Sequence, residues 1–170
     1  MRKSDNPTLV LVLGPRGSGK ERFEKCYRNS FLQAFPILPL YQGVISGSSF
    51  CTISSLNDEK DISLIVRAKN KGYRIIAYTL FAARLLCAER NRIKGLIDGV
   101  KWEADGFRDE YESFYSNLLD VYSYLDMVFF VNNQKGFEFL GAYGIDDVPA
   151  SAFEKALRKQ KAASDKIRTS

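Results

Sequence analysis

Histidine is absent from all 170 residues of the chain. That absence removes the Ser-His-Asp triad, the Cys-His dyad and every histidine-containing zinc site. Cysteine is sparse. Cys26, Cys51 and Cys87 stand far apart with no C-x-x-C pair, which argues against a disulfide framework and fits small core-filling residues in a reducing cytoplasm. Long apolar runs are missing too. The longest near the start, Leu9 to Leu13, falls short of a membrane span of roughly 18 residues and of a signal-peptide core. Repeats and low-complexity tracts are likewise absent. Hydrophobic residues make up 45% and charged residues 26%, which excludes a fully disordered chain. A length of 170 residues suits one domain. The excess of 25 Lys+Arg over 20 Asp+Glu, a net +5, is compatible with phosphate-bearing partners and carries no strong nucleic-acid signal.

What is present reads as strands alternating with helices. Thr8 to Leu13 is a short apolar run between Pro7 and Gly14. Continuous rather than alternating hydrophobicity predicts a strand buried on both faces of a parallel sheet. Lys20 to Asn29 reads as a helix, Ile37 to Tyr41 as a short strand, Gly43 to Ser49 as a turn and Phe50 to Ile53 as a strand. Asp58 to Lys71 reads as a helix with Asp58 at its N-cap and Gly72 as a left-handed C-cap. Tyr73 to Leu80 is a strand, Ala82 to Lys94 a helix, and Gly95 to Gly106 an irregular stretch. Phe107 to Tyr124 is a longer helix whose stripe of Tyr111, Phe114, Tyr115 and Tyr122 belongs to the core. Met127 to Val131 and Phe137 to Leu140 read as strands. Ala150 to Ile167 reads as a basic helix that caps the domain or frays, rather than a membrane or nucleic-acid element. The pattern predicts a three-layer α/β domain with a mostly parallel sheet.

Between the first strand and the first helix lies Gly14-Pro-Arg-Gly-Ser-Gly-Lys20, which matches the phosphate-loop pattern G-x-x-x-x-G-K in the strand–loop–helix context that the pattern requires. Glycines let successive backbone N–H groups converge on phosphate oxygens, and the helix adds its own free N–H groups and dipole. Lys20 reaches the outer phosphates as a mobile charge. The candidate nucleotide contacts are Gly14, Arg16, Gly17, Ser18, Gly19 and Lys20. Glu21 replaces the usual hydroxyl residue and is the candidate magnesium ligand.

Further pieces follow in order: F-x-T-x-S at Phe50 to Ser54, "RAKNKGYRIIAYTLFA", "CAERNR", a glycine-bearing insert, "FRDEYESFYSNL" and "MVFFVNN". This ordered set, from about residue 8 to about residue 143, resembles the zeta-toxin family of P-loop kinases. The resemblance implies an ATP- and magnesium-dependent kinase that phosphorylates a hydroxyl of a nucleotide sugar of the UDP-N-acetylglucosamine type, with an antitoxin-like protein as a possible partner. It implies a lid at about residues 92–107. Arg90 or Arg92 would contact the γ-phosphate, and Arg108 would begin the arginine-bearing helix. Asn132 or Asn133 would border the adenine pocket. Cys51 and Thr52 would lie beside the sugar-nucleotide site.

Three positions depart from the family pattern. No acid stands between Leu38 and Val44, where the family places its catalytic aspartate. Cys51 replaces a glutamate, and the successive arginines have become Arg108, Asp109 and Glu110. Three readings follow. One is a zeta-toxin-like kinase with Lys20, Arg90, Arg92 and Arg108 as its catalytic cations. Another is a catalytically degenerate nucleotide-binding or protein-interaction domain. The third is another small-metabolite P-loop kinase. Residues 1–150 would form the kinase-like body, and 151–170 its basic C-terminal helix or tail.

Overall fold

The structure is a computed structural model and describes residues 6–166. Five strands form one sheet in the order β2-β1-β3-β4-β5. They are β1 (Thr8–Leu13), β2 (Phe50–Ser54), β3 (Arg74–Phe81), β4 (Met127–Asn132) and β5 (Glu138–Gly144). The first four run parallel, and β5 is antiparallel to β4. Among the described residues six α-helices and a short 3-10 helix (Tyr122–Tyr124) connect and cover them: α1 (Lys20–Tyr27), α2 (Leu40–Ser46), α3 (Glu59–Asn70), α4 (Arg84–Asp98), α5 (Ala104–Val121) and α6 (Ala150–Lys166).

β1 is apolar throughout because both its faces are covered. Leu9, Leu11 and Leu13 join one core cluster with Ile65, Phe114 and Phe153. Val10 and Val12 join another with Phe23, Leu32 and Cys51. The chain leaves β1 for β2 on one side and returns to β3 on the other. The C-terminal end of β1 is therefore the point where the strand order reverses, which in open α/β sheets is where ligands bind.

The element boundaries depart from the sequence expectation at several elements, including the turn expected at 43–49, which α2 fills as far as Ser46, and the helix expected at 107–124, which runs from Ala104 to Val121. The stretch expected as a strand at 37–41 keeps only a single bridge, Ile37 to Cys51. Pro36 and Pro39 cannot donate to a ladder, and Leu40 instead opens α2. The helix expected to reach Asn29 stops at Tyr27, because Arg28 donates to the carbonyls of Leu32 (2.7 Å) and Phe35 (2.6 Å) and gathers residues 28–35 into turns. The irregular stretch expected at 95–106 shrinks to residues 99–103. Leu96 and Ile97 are compatible with helix, α4 runs through Gly95, and the Val100 N–H closes onto the Gly95 carbonyl at 2.9 Å. The last strand runs on to Gly144 because it pairs with β4 on both sides of a bulge at Leu140.

Asp58 caps α3 as expected, accepting from the Lys60 N–H at 2.9 Å. The aromatic stripe of α5 is core: Tyr111, Phe114 and Tyr115 are buried. On α6, Phe153 stacks on Tyr122 with ring centroids 3.8 Å apart. The expected end of α6, Ile167, and the basic residue Arg168 lie outside the described residues. Among the described residues no helix is long and apolar enough to cross a membrane.

Candidate functional site

Gly14–Gly19 leaves the end of β1 and delivers the chain into α1. Gly17 and Gly19 hold φ of 89° and 97°, a left-handed region that side chains other than glycine's enter at a cost. The space around them is closed as well. A β-carbon on Gly17 would stand 2.5 Å from the Cys87 carbonyl, and one on Gly19 would stand 2.2 Å from the Asn133 amide nitrogen.

Three side chains from distant segments grip the loop's carbonyls. Asn91 Nδ2 donates to the Arg16 carbonyl at 2.8 Å. Arg90 donates to the Gly17 carbonyl at 3.0 Å and to the Asn133 carbonyl at 3.1 Å. Asn133 Nδ2 donates to the Ser18 carbonyl at 2.8 Å. In a trans peptide the C=O of one residue and the N–H of the next point in opposite directions. Pinning the carbonyls of residues 16–18 toward α4 and the end of β4 therefore turns the following N–H groups the other way. The Ser18 N–H closes a turn onto Pro15 at 3.0 Å. Those of Gly17 and Gly19 have no protein acceptor among the described residues. The N-terminus of α1 carries no side-chain cap, so its own N–H groups join them as free donors.

Lys20 completes this positive cradle. Its Nζ donates to the Pro15 carbonyl at 3.0 Å. Burial pulls its pKa down to about 8, against the opposing pull of the Cys87 thiol, Glu21 and Glu110. A buried ammonium lacking a full counter-charge is stabilised by any anion that arrives. The Ser18 hydroxyl is fully buried beside Gly14 without a partner, so it too has bonding capacity to spare. A cavity of about 300 Å³ lies against the loop, lined by Lys20, Glu21, Ile53, Arg90 and Lys94 among others. Glycines packed to the limit, free N–H donors and a desolvated lysine fit a phosphate group. For magnesium, Glu21 borders this cavity, and among the described residues no group of three or more acidic or thiol side chains forms a metal cage. Phosphate oxygens would have to supply most of its ligands.

The expected site residues are only partly gathered here. Gly14, Arg16, Gly17, Ser18, Gly19, Lys20, Glu21, Arg90 and Asn133 meet at the loop. Arg90 is half-buried and spends its fork on two protein carbonyls. Arg92 is exposed and pairs with Glu89 through bonds of 3.0 and 2.6 Å. Arg108 is exposed on α5 and lines neither cavity beside the loop. Asn132 accepts from the Gln134 N–H at 3.2 Å and borders a separate shallow cavity with Phe137. Cys51 and Thr52 are buried within β2, paired with Val10 and Leu11 rather than placed at the strand end. Burial pushes the Cys51 thiol up to about 11.

Residues that the sequence did not single out also converge here. Asn91 holds the loop. Glu110 accepts from Arg16 NH2 at 2.9 Å and from the Asn57 side-chain amide. A second cavity of about 410 Å³ lies between the end of α4 and the start of α5. Arg16, Asn91, Lys94, Trp102, Phe107 and Glu110 are among the residues lining it. The one available signal for Glu110 was its place on the inward stripe of α5, between Phe107 and Phe114.

The parallel sheet with an antiparallel edge strand and a phosphate-type loop at its reversal point is a three-layer α/β fold. No family model and no curated protein matches the chain. Solved structures do. One comes from the PezAT chromosomal toxin–antitoxin system of Streptococcus pneumoniae, at 12% identity and TM-score 0.57, over 96% of this chain and 87% of that one. A candidate kinase of Chloroflexus aurantiacus matches at 12% identity and TM-score 0.51, over 92% of this chain and 99% of that one. The AvrRxo1-ORF1:AvrRxo1-ORF2 complex with sulphate ions matches at 12% identity and TM-score 0.52, over 98% of this chain and 66% of that one.

Proposed function

We propose that the protein is an ATP-dependent phosphotransferase that moves the γ-phosphate to a hydroxyl of a small molecule. A nucleotide sugar of the UDP-N-acetylglucosamine type is the first acceptor to test. The observation that carries this reading is the outward grip on the carbonyls of Arg16, Gly17 and Ser18. It leaves the N–H groups of Gly17 and Gly19, the start of α1 and Lys20 beside one small space. Phosphoryl transfer asks for positioning and charge neutralisation rather than covalent help from the protein, and these groups supply both. Gly14 to Lys20 would hold the β- and γ-phosphates. Glu21 would hold magnesium, whose charge would offset that of the phosphates. Arg90 would keep the loop in shape, and Asn132 or Asn133 would border the adenine. Arg92 and Arg108 would have to swing inward to act as cations, and Cys51 and Thr52, buried within β2 and lining neither cavity, would act on the acceptor only through the shape of that strand.

A second reading is a nucleotide-binding or protein-interaction domain without turnover. It is favoured by one observation: the cations at the loop, Arg16 and Arg90, are both engaged by protein groups. Two of the similar structures come from two-component assemblies, which supports an antitoxin-like partner in either reading. The buried, unpaired thiols of Cys51 and Cys87 fit a cytoplasmic setting.

The test is calorimetric titration of ATP with magnesium into the wild type and Lys20→Ala, followed by a screen of UDP-sugars and other hydroxyl metabolites for phosphate transfer. Loss of a charge-assisted contact of about 1.5–3 kcal/mol should weaken binding by roughly 10- to 100-fold. Equal affinity in the two proteins would refute the loop's role. Binding without transfer to any acceptor would favour the second reading.

A further inference from the structure

The acid expected near residues 38–44 is absent, and α2 occupies that stretch. We propose that Glu110 of α5 is the carboxylate that takes the proton from the acceptor hydroxyl, and that the cavity it shares with Trp102 is the acceptor site. This inference rests on the phosphotransferase reading.

Four observations carry it. Glu110 is bonded to the phosphate loop itself, through Arg16 at 2.9 Å. It is held from a second direction by the Asn57 amide, from the connection that follows β2. Two donors on separate segments aim one carboxylate at the space beside the loop. The cavity in front of it and the cavity against Lys20 are both bordered by Arg16, Asn91 and Lys94, so they lie side by side. Asp98 and Glu103 also line the Glu110 cavity but are exposed, whereas the Glu110 side chain is 22% exposed.

The other acids near the loop are committed elsewhere. Asp58 caps α3, and Asp61 accepts from Ser54 Oγ at 2.7 Å. Glu21 lines the loop cavity and not this one. The lining suits a polar, hydroxyl-bearing molecule with a flat face: Trp102 offers ring surface over the buried Phe107, while Asn91, Lys94 and Glu110 offer hydrogen bonds.

In the step itself, the acceptor O–H gives its proton to a Glu110 carboxylate oxygen. The acceptor oxygen bonds the γ-phosphorus, and the bond from that phosphorus to the β-bridging oxygen breaks. Its electron pair leaves on ADP. The acceptor hydroxyl takes the place of Arg16 on Glu110, and the freed guanidinium turns to the transferring phosphate. One charge pair thus keeps both groups in reserve until both substrates are bound.

The experiment uses the full chain and Glu110→Gln, which keeps the shape and removes the base. Affinities for ADP and for magnesium–ATP are measured by calorimetry. Phosphate transfer to water and to a panel of hydroxyl metabolites is measured against pH. The fluorescence of Trp102, the single tryptophan, reports entry of those metabolites into the cavity. The expected result is nucleotide affinity within threefold of wild type or tighter, and transfer slowed by about 100-fold or more. The fall in wild-type rate toward low pH should disappear in the variant. Metabolites that serve as acceptors should still change Trp102 fluorescence in the variant. An unchanged rate and pH profile would overturn the proposal, and so would a parallel loss of nucleotide affinity, which would make the Arg16 pair merely structural. A wild type that binds ATP yet transfers to nothing, water included, would overturn it as well. A wild type that binds no nucleotide would instead refute the phosphotransferase reading, and this proposal with it. Should Glu110→Gln fail to fold, Asn57→Ala serves: it should lower kcat severalfold at unchanged ADP affinity, and an unchanged kcat would overturn the proposal.

Discussion

Asn133, just past the end of β4, holds the phosphate loop by its Ser18 carbonyl. Its amide donates across 2.8 Å and joins segments 115 positions apart in the chain. The bond is buried, and the same nitrogen stands where a β-carbon on Gly19 would have to go. Removing the amide therefore orphans a buried carbonyl and opens a void against the loop at once. Asn133→Ala should cost about 1–3 kcal/mol of stability. For a chain of this size that lowers the melting temperature by roughly 2–4 °C per kcal/mol. ADP affinity should fall in parallel, because the Ser18 peptide is then free to turn its N–H face away from the ligand. Calorimetric melting and ADP titration on the same sample check both, and normal ADP affinity in a destabilised variant would show that the loop holds its shape without Asn133.

The lowered pKa of Lys20 sets the pH range of anion binding. Its folded value of about 8 lies below the ordinary 10.5 because burial disfavours the ammonium. As pH rises through 8 the free protein loses the charge that attracts phosphate, so ADP affinity should decline from there upward. Bound phosphate favours the ammonium, so the complex keeps its proton to higher pH. For stability the sign is reversed. Between about 8 and 10.5 the unfolded chain holds a proton that the folded one has shed, so the Lys20 contribution to stability grows as pH rises through that window. Below about 8 both states are protonated and the burial penalty is fully present. ADP titrations from pH 6.5 to 9.5 test the first statement, and a flat affinity curve would sink it.

Arg90 and Arg92 are near neighbours on α4 with opposite roles in the resting structure. Arg90 bridges two carbonyls, Gly17 and Asn133, with separate guanidinium nitrogens. Lysine offers no such fork, so Arg90→Lys should keep the charge and lose one bond, weakening ADP binding by about tenfold. Arg92 makes an exposed pair with Glu89, of the kind that adds little to stability. Arg92→Ala should melt and bind ADP as the wild type does. Transfer assays then separate the two: a loss of rate in Arg92→Ala at normal ADP affinity would show that this arginine swings in during the reaction.

Much of this arrangement was legible in the sequence, and the reasons differ by element. β1 announces itself because a strand buried on both faces is apolar almost throughout, and β3 and β4 because short apolar runs between turns read as strands. The loop is legible because its chemistry is local: seven consecutive residues carry the backbone geometry, the free N–H groups and the lysine. α2 was misread because a short apolar run between prolines looks the same as strand or helix until its neighbours are placed, and Gly95 looked like a break because a helix tolerates glycine at a cost that packing can offset. Asn91, Asn133 and Glu110 act through contacts with residues far along the chain. Asn133 entered through its place after β4, not through its grip on Ser18. Glu110 looked only like a lost arginine, and nothing nearby in sequence marks it as the residue that meets Arg16.

The C-terminal helix offers a last test, of how far the site depends on the frame. Phe153 is fully buried, stacked on Tyr122 and in contact range of Phe130 and Tyr143 at centroid distances of 5.8 and 5.9 Å. Phe153→Ala removes a ring that four elements share and should cost about 3–5 kcal/mol, a large part of a domain's usual margin of about 5–15 kcal/mol. The same helix touches the site's flank, since Gln134 donates to the Ser164 carbonyl at 2.6 Å and accepts from the Ala83 N–H at 3.1 Å, between β3 and α4. Loosening α6 should therefore also loosen the start of α4, which carries Arg90 and Asn91. At a temperature where Phe153→Ala is still folded, ADP affinity should fall severalfold, though less than in Lys20→Ala. Denaturant unfolding followed by circular dichroism gives the stability loss. A loss below 1 kcal/mol would show that α6 rests on the sheet without anchoring it, and wild-type ADP affinity in a strongly destabilised variant would show that α4 is held by the loop and α5 alone.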